Sequence, residues 1–127
     1  MEYRVNDSSR FPTCHFILRC DDDGMYWLTN ASGCEMSEAK TIPVQDSFVR
    51  QLRQIVKEED MRGYKPHYSR WIDIKDGESW TLTIRLEDGE PSVNSSGENA
   101  YPKGNGLKRI HQLCLDTWNE NQSSYVP

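Results

Sequence analysis

Residues 71–102 read WIDIKDGESWTLTIRLEDGEPSVNSSGENAYP, and this stretch decides the predicted fold. Apolar side chains stand at every second position within it, at Trp80, Leu82, Ile84 and Leu86, and the residues between them are polar. Alternation of this kind is typical of a strand that buries one face and exposes the other. The pattern therefore predicts an interior strand of a sheet at these positions.

An Asp-Gly pair follows this strand at Asp88-Gly89 and predicts a two-residue hairpin turn, because glycine adopts the positive φ that such turns need. A turn at that position fixes the register of the next strand. It places Glu87 opposite Glu90, Leu86 opposite Pro91 and Ile84 opposite Val93. Val93 then lies on the apolar face, which supports this register.

A second Asp-Gly pair precedes the strand at Asp76-Gly77 and requires a different turn. A two-residue loop there would pair apolar with polar faces, whereas a three-residue bulged turn keeps the apolar residues together. That turn pairs Ile74 with Trp80 and Ile72 with Leu82. The sequence thus predicts a three-stranded antiparallel meander with Trp80 near its centre.

Two amphipathic helices are predicted, because apolar residues recur with the period of an α-helix. The first begins with Asp46 as its N-cap and ends at Gly63. Its apolar face carries Phe48, Val49, Leu52, Ile55 and Val56. The second follows Asn105, and its apolar face carries Leu107, Ile110, Cys114 and Trp118.

The other segments complete an α+β fold. Alternating patterns predict strands at 13–20 and 25–29, joined by a turn at Asp21–Gly24, and a third strand at 38–44. Residues 62–70 and 95–106 are expected to connect elements, and residues 1–12 and 119–127 to be loosely ordered. The chain 1–127 is expected to form a single domain, with an antiparallel sheet of about six strands (β-β-β-α-β-β-β-α) and two helices packed on one face.

The charge of the chain limits the classes of partner. Its 127 residues carry a formal net charge of −5. This charge disfavours direct binding to nucleic acid or to an anionic membrane, because both depend mainly on Lys and Arg. A protein partner, and in particular a basic one, is compatible with it.

The targeting features predict a cytoplasmic protein. The N-terminal segment MEYRVNDSSRF has no apolar run, so no signal peptide is expected, and no segment is apolar over a length that would span a membrane. Without a secretion signal, the four cysteines (Cys14, Cys20, Cys34 and Cys114) are expected to be reduced thiols.

The stretch DGESWTLTIRLEDGE, followed by SGENAYP and a predicted helix, resembles a group of small uncharacterised bacterial proteins. Their shared pattern is of the type DG-x-x-W-x-L-x-I-x-x-x-DG, then G-x-N-AYP ahead of a C-terminal helix. The matching positions are Asp76, Gly77, Trp80, Leu82, Ile84, Asp88, Gly89, Gly97, Asn99, Ala100, Tyr101 and Pro102. The resemblance implies a shared fold for the C-terminal part of the chain and transfers no activity.

The segment Gly97–Pro102 is the strongest candidate for a binding site. Its glycine permits an unusual backbone, Glu98 and Asn99 offer hydrogen bonds, and Tyr101 presents an amphipathic ring before a helix N-terminus that can hold an anion. Gly97, Glu98, Asn99 and Tyr101 are therefore candidate binding residues. The alternative interpretation is structural: Asn99 satisfies backbone groups of a strand-to-helix turn, and Tyr101 packs beneath it.

No catalytic residue, metal ligand or cofactor is predicted. The cysteine spacing contains no C-x2-C pair, and the histidines form no H-x3-H pair. Phosphate-binding, dinucleotide-binding and H-E-x-x-H motifs are also missing from the sequence. A nucleophilic Cys–His pair, for example Cys14 with His67, stays open as an alternative.

Carboxylates provide the remaining candidate surface. Asp21, Asp22 and Asp23 form a charged turn without the glycine and glutamate of a calcium-binding loop, and further acidic residues stand at 58–60 and 87–88. We take these three aspartates as candidate binding residues, since an acidic field can compete for the basic groove of another protein. The alternative is an ordinary solvated turn.

The expected function is a non-enzymatic protein-binding module. Its most specific form is an acidic inhibitor or immunity-type protein, encoded by a phage or mobile element as anti-CRISPR proteins are, that blocks a basic nucleic-acid-processing enzyme. That form is an analogy with other small acidic domains that lack catalytic motifs. The alternative is a small ligand-binding protein or enzyme that uses the Gly97–Pro102 loop.

Overall fold

The computed structural model describes residues 1–6, 14–69, 79–87, 90–98 and 100–123. Its strands are β1 (Glu2–Asn6), β2 (Cys14–Cys20), β3 (Tyr26–Asn30), β4 (Lys40–Val44), β5 (His67–Ser69), β6 (Ser79–Glu87) and β7 (Glu90–Glu98). Its helices are α1 (Asp46–Glu58) and α2 (Gly106–Ser123), and short 3-10 turns occur at Met36–Glu38 and Met61–Gly63. These elements confirm the predicted α+β class.

The described strands form one sheet in the order β4-β3-β2-β1-β6-β7-β5. Neighbouring strands are antiparallel except β5 and β7, which run parallel. The sheet is therefore mixed, and it exceeds the predicted number of strands by one. Two described strands were not predicted, β1 in the segment expected to be loosely ordered and β5 in the expected connector. The strand predicted around Ile72 and Ile74 lies outside the described residues.

Strand β6 confirms the alternating pattern. Trp80, Leu82 and Ile84 are almost fully buried, whereas Thr81 and Arg85 are exposed. The predicted pairs of Ile84 with Val93 and of Glu87 with Glu90 are both present. The predicted pair of Leu86 with Pro91 is wrong, because the register shifts there and Arg85 faces Pro91. Proline has no N–H to offer the ladder, which favours an irregularity at this point.

The predicted meander is wrong on one side of β6, because β1 occupies that side. Trp80 and Leu82 lie opposite Val5 and Tyr3 of β1 and opposite Gly97 and Ser95 of β7. Both edges of β6 are therefore filled, and the predicted pairs with Ile72 and Ile74 cannot form at these positions. Ile72, Ile74 and the Asp76-Gly77 turn lie outside the described residues.

Strand β1 also corrects the expectation that residues 1–12 are loosely ordered. Tyr3 and Val5 are fully buried in the centre of the sheet. Two alternating apolar residues are too few to stand out as a strand pattern, and their burial depends on neighbours distant in sequence. Residues 7–12 lie outside the described residues.

Both helices pack on the same face of the sheet, as predicted. Their buried residues join the inward-facing strand residues in one hydrophobic cluster, whose members include Tyr3, Phe16, Leu28, Leu52, Trp80, Ile84, Ile110 and Trp118. The predicted apolar face of each helix is buried in full, and on α2 it also includes His111 and Leu113.

The helix boundaries differ from the predicted ones. Gln45, not Asp46, is the N-cap of α1, and the helix ends at Glu58 rather than Gly63 because Asp60 adopts a left-handed backbone with φ 49°. Helix α2 continues to Ser123, so the expected loose order of 119–127 is wrong for 119–123. Residues 124–127 lie outside the described residues.

Candidate functional site

Gly97, a candidate binding residue, has a structural role. It lies in β7 opposite Trp80, so the predicted loop over 95–106 is wrong for 95–98. The Trp80 indole Nε1 crosses this position and donates a hydrogen bond to the Ala100 carbonyl oxygen at 2.8 Å. A Cβ atom at Gly97 would overlap both the indole nitrogen and that carbonyl oxygen. The close approach therefore requires glycine.

Tyr101 packs onto the same tryptophan. Its ring stacks on Trp80 with centroids 6.3 Å apart and an interplanar angle of 13°. Tyr68 of β5 lies 6.1 Å from Trp80, and Tyr64 meets Tyr68 edge to face at 6.3 Å. We call Tyr68, Trp80, Gly97, Ala100 and Tyr101 the Trp80 unit. Four of its five members belong to the pattern shared with the bacterial group, so that pattern describes a packing unit here.

The other two residues proposed in this segment are placed differently. Glu98 is exposed at the end of β7 and pairs in the sheet with Ser79 and Ser69. Asn99 lies outside the described residues. The structural interpretation therefore accounts for Gly97 and Tyr101.

A cleft opens beside the Trp80 unit at the start of α2. Its volume is about 230 Å³, and its lining residues are Tyr64, Tyr101, Pro102, Gly104, Asn105, Leu107 and Lys108. We call it the tyrosine cleft. Of the predicted binding residues, only Tyr101 among those described lines it. The sequence analysis missed Tyr64 and Lys108, because their approach to Tyr101 depends on where α1 and α2 end and begin.

Tyr64 is chemically unusual within this cleft. Its hydroxyl is buried and has no hydrogen-bond partner among the described residues. Burial, with smaller effects from the nearby Glu59 and Tyr68, raises the pKa of Tyr64 to about 12. A Cβ atom at Gly106 would overlap this hydroxyl, so the absence of a side chain at the start of α2 makes room for it.

The aspartate turn between β2 and β3 forms a separate region. The Asp21 carboxylate accepts hydrogen bonds from the backbone N–H groups of Asp23 and Met25, both at 2.9 Å, and from Trp27 Nε1 at 2.8 Å. These bonds hold the pKa of Asp21 below its ordinary value, and the bond from Trp27 has the largest effect on the pKa. Asp21 therefore stabilises the turn, and Asp22 and Asp23 are exposed at its tip.

The structure does not bring the two predicted groups of binding residues together. Strand β2, which leads into the aspartate turn, is three strands from β7, which carries Gly97. At the usual spacing of neighbouring strands, β2 and β7 are about 14 Å apart across the sheet.

A groove between α1 and α2 was not predicted from the sequence. Its volume is about 500 Å³, and its lining residues are Gln51, Gln54, Ile55, Arg109, Gln112, Leu113, Asp116, Thr117 and Glu120. We call it the helix groove. Ile55 and Leu113 are buried and form its apolar floor. A second depression of about 250 Å³ shares Gln51, Thr117 and Glu120 and continues toward β4.

The charges along the helix groove are mainly negative. Asp116 and Glu120 line one part of it. At the other end, Arg109 contacts Glu58 at 3.1 Å and Glu59 at 3.4 Å. Among the described residues, two carboxylates therefore line the groove, and two more contact the one guanidinium in its lining. The opposite flank of α1 is basic, since Arg53, Lys57 and Arg62 surround a separate depression of about 410 Å³.

The buried cysteine nearest to a histidine is not an activated nucleophile. His111 Nδ1 lies 3.2 Å from the Tyr3 hydroxyl and 3.7 Å from Cys14 Sγ. Burial raises the pKa of Cys14 to about 11 and lowers the pKa of His111, so both groups are held neutral. The sequence analysis named His67 as a possible partner for Cys14, but the Nδ1 atom of His67 lies 2.9 Å from Ser96 Oγ.

Two further classes of site are missing from the described ranges. There, no three His, Cys, Asp or Glu side chains are grouped so that they could hold a metal ion. No helix in that part of the chain combines the length and apolar character needed to cross a bilayer. The four cysteines are free thiols.

Scans of the chain against models of protein families, against curated proteins and against solved structures each found no match.

Proposed function

We propose that the chain is a non-enzymatic protein-binding module whose helix groove receives a basic segment of a partner protein. The observation that supports this proposal is the charge of the groove. Asp116 and Glu120 line it, and Arg109, the single cation among its described lining residues, is paired with Glu58 and Glu59. Opposite charges in two facing surfaces steer association and fix the register of the complex.

The shape of the helix groove also fits Lys and Arg side chains. These side chains carry an aliphatic stem below a charged head, so they bind best where an apolar floor lies beneath carboxylates. Ile55 and Leu113 supply that floor, and Asp116 and Glu120 stand above it. A partner segment with several Lys or Arg residues therefore matches the groove in both respects.

Glutamine side chains hold two of the carboxylates in place before a partner arrives. Gln112 Nε2 donates to Asp116 Oδ1 at 2.7 Å, and Gln54 Nε2 donates to Glu58 Oε1 at 2.5 Å. Groups that are ordered in advance lose less entropy on binding. This arrangement favours the helix groove over the aspartate turn, where Asp21 is occupied by its own turn.

The class of partner that best fits this surface is a nucleic-acid-processing enzyme with a basic groove. An acidic field accelerates encounter with such a groove and excludes the nucleic acid from it. The net charge of −5 supports this assignment. Under the proposal the module acts in the cytoplasm, which the four free thiols support.

The test compares two pairs of neutralising substitutions in the binding of a ten-residue lysine peptide, measured by calorimetry at low and at moderate salt. Asp116→Asn with Glu120→Gln alters the helix groove, and Asp22→Asn with Asp23→Asn is the matched control at the aspartate turn. We expect the groove pair to weaken binding about tenfold, the scale of two exposed ion pairs. We expect the turn pair to leave the affinity within about twofold, because its carboxylates lie outside the groove that receives the peptide.

Binding to the wild-type chain should also weaken as salt is added, since the contact is electrostatic. Equal losses in the two pairs would show a diffuse charge effect and would contradict a site in the groove. An affinity that does not respond to salt would contradict the proposal as well.

A further inference from the structure

The tyrosine cleft has the size of a small-molecule site. Its volume of about 230 Å³ exceeds the roughly 150 Å³ of an engineered cavity that holds benzene. The Tyr64 and Tyr101 rings, Pro102 and Leu107 provide apolar surface within it. The cleft therefore accommodates a planar body of about one aromatic ring.

The position of the Tyr101 ring is fixed by Trp80, which is not among the lining residues of the cleft. The ring stacks on Trp80, which in turn donates a hydrogen bond to the carbonyl of the residue before Tyr101. A wall held in this way keeps its shape without a ligand, which lowers the entropic cost of binding one.

Polar recognition in the cleft comes from two side chains. Lys108 is exposed and lines the cleft, so its ammonium group can reach an anion there. The Tyr64 hydroxyl is buried without a partner in the described part of the chain, and its pKa of about 12 keeps it protonated as a donor. A buried donor without an acceptor is costly, and a bound acceptor would remove that cost.

The neighbouring charged groups are already engaged with each other. Glu59 Oε2 accepts a hydrogen bond from the backbone N–H of Asn105 at 3.1 Å, and Glu59 Oε1 contacts Arg109 at 3.4 Å. The Glu59 carboxylate is thus partly compensated, which reduces its repulsion of an anion at Lys108. The same contact removes the Asn105 backbone N–H from ligand binding, so the polar groups that line the cleft include Lys108, Tyr64 and the Asn105 side chain.

We propose that the tyrosine cleft binds a small aromatic carboxylate. The ring packs against Tyr101 and Leu107, and the carboxylate accepts hydrogen bonds from the Lys108 ammonium group and the Tyr64 hydroxyl. This site is separate from the helix groove and independent of the function proposed for it.

The test uses benzoate as the probe, with acetate and benzyl alcohol as comparison ligands, and follows the backbone amide signals of the chain by NMR titration. Benzoate should shift the signals of residues 101–108 and of Tyr64 in a saturable way. Acetate lacks the ring and benzyl alcohol lacks the charge, so each should bind at least about tenfold more weakly.

Two variants assign the contacts. Lys108→Met should weaken benzoate binding about tenfold, whereas Lys103→Met, an exposed lysine outside the lining, is the matched control and should leave it unchanged. Tyr64→Phe removes only the hydroxyl and should weaken benzoate binding more than benzyl alcohol binding, because the charged acceptor makes the stronger hydrogen bond.

Three results would overturn the proposal. The first is the lack of saturable shifts around the cleft with benzoate. The second is equal binding of acetate and benzoate, which would indicate an unspecific anion contact. The third is an equal loss in the two lysine variants, which would place the effect outside the cleft.

Discussion

The Trp80 unit and the helix groove lie next to the same helix and are built in different ways. In the Trp80 unit each residue is fixed by shape, since the Trp80 indole occupies the space that a side chain at Gly97 would need. In the helix groove most side chains are polar and exposed above the apolar floor of Ile55 and Leu113, and their role depends on charge. Close packing allows few residue types at a position, whereas an electrostatic role requires only a side chain with the right sign of charge. Substitutions should therefore affect folding in the first region and binding in the second.

The largest effect on stability is expected for Gly97→Ala. The added Cβ atom would overlap the Trp80 indole and the Ala100 carbonyl oxygen, and overpacking of this kind costs about 3 kcal/mol of unfolding free energy. Chemical denaturation with far-ultraviolet circular dichroism measures the loss. The comparison is the groove pair, Asp116→Asn with Glu120→Gln, which should change the unfolding free energy by no more than about 0.5 kcal/mol. A loss of similar size in both variants would remove the distinction between the two regions.

An intermediate effect is expected from removing single tyrosine hydroxyls. Tyr3→Phe deletes a buried group that lies 3.2 Å from His111 Nδ1 and should cost about 1 kcal/mol. Tyr64→Phe deletes a buried group without a partner among the described residues and should cost nothing or stabilise the fold by up to about 1 kcal/mol. Denaturant unfolding measures the difference in unfolding free energy between the two variants. A larger loss for Tyr64→Phe would show that its hydroxyl has a partner, such as an ordered water.

The smallest effect is expected at the aspartate turn and depends on pH. Hydrogen bonds, first from Trp27 and then from backbone N–H groups, hold the pKa of Asp21 below its ordinary value of 3.8. A carboxyl group with a depressed pKa in the folded state contributes stability above its unfolded pKa, and this contribution disappears as the pH falls through the folded pKa. Asp21→Asn should therefore lower the melting temperature at pH 7, and its difference from the wild type should shrink below about pH 4. Asp22→Asn, at the exposed tip of the same turn, is the matched control. A deficit of Asp21→Asn that is as large at pH 2 as at pH 7 would contradict this explanation.

The fold was predictable where the signal is local. The alternation at Trp80, Leu82 and Ile84 and the apolar faces of both helices depend on near neighbours in sequence, and the structure confirms them. Strands β1 and β5 were not predictable in this way, because each is short and is completed by a partner far along the chain.

The candidate site shows the same limit. The sequence pointed to Gly97 and Tyr101, but their contacts with Trp80 depend on the register of β6 and β7, so a packing role looked like a binding role. The helix groove was missed because its two walls, α1 and α2, are separated in sequence by the described strands β5, β6 and β7. The sequence analysis noted the acidic residues at 58–60 beside it but did not single out the acidic pair Asp116 and Glu120, spaced four residues apart on the exposed side of α2.

The two outer strands of the sheet bear on how copies of the chain behave at high concentration. Among the described strands, β4 and β5 have a neighbour on one side only. Pro43 removes a donor from β4, and β5 is only three residues long. Edge strands of this kind are a poor template for pairing with a strand from another molecule. Fibre growth by strand addition is thus disfavoured at both edges.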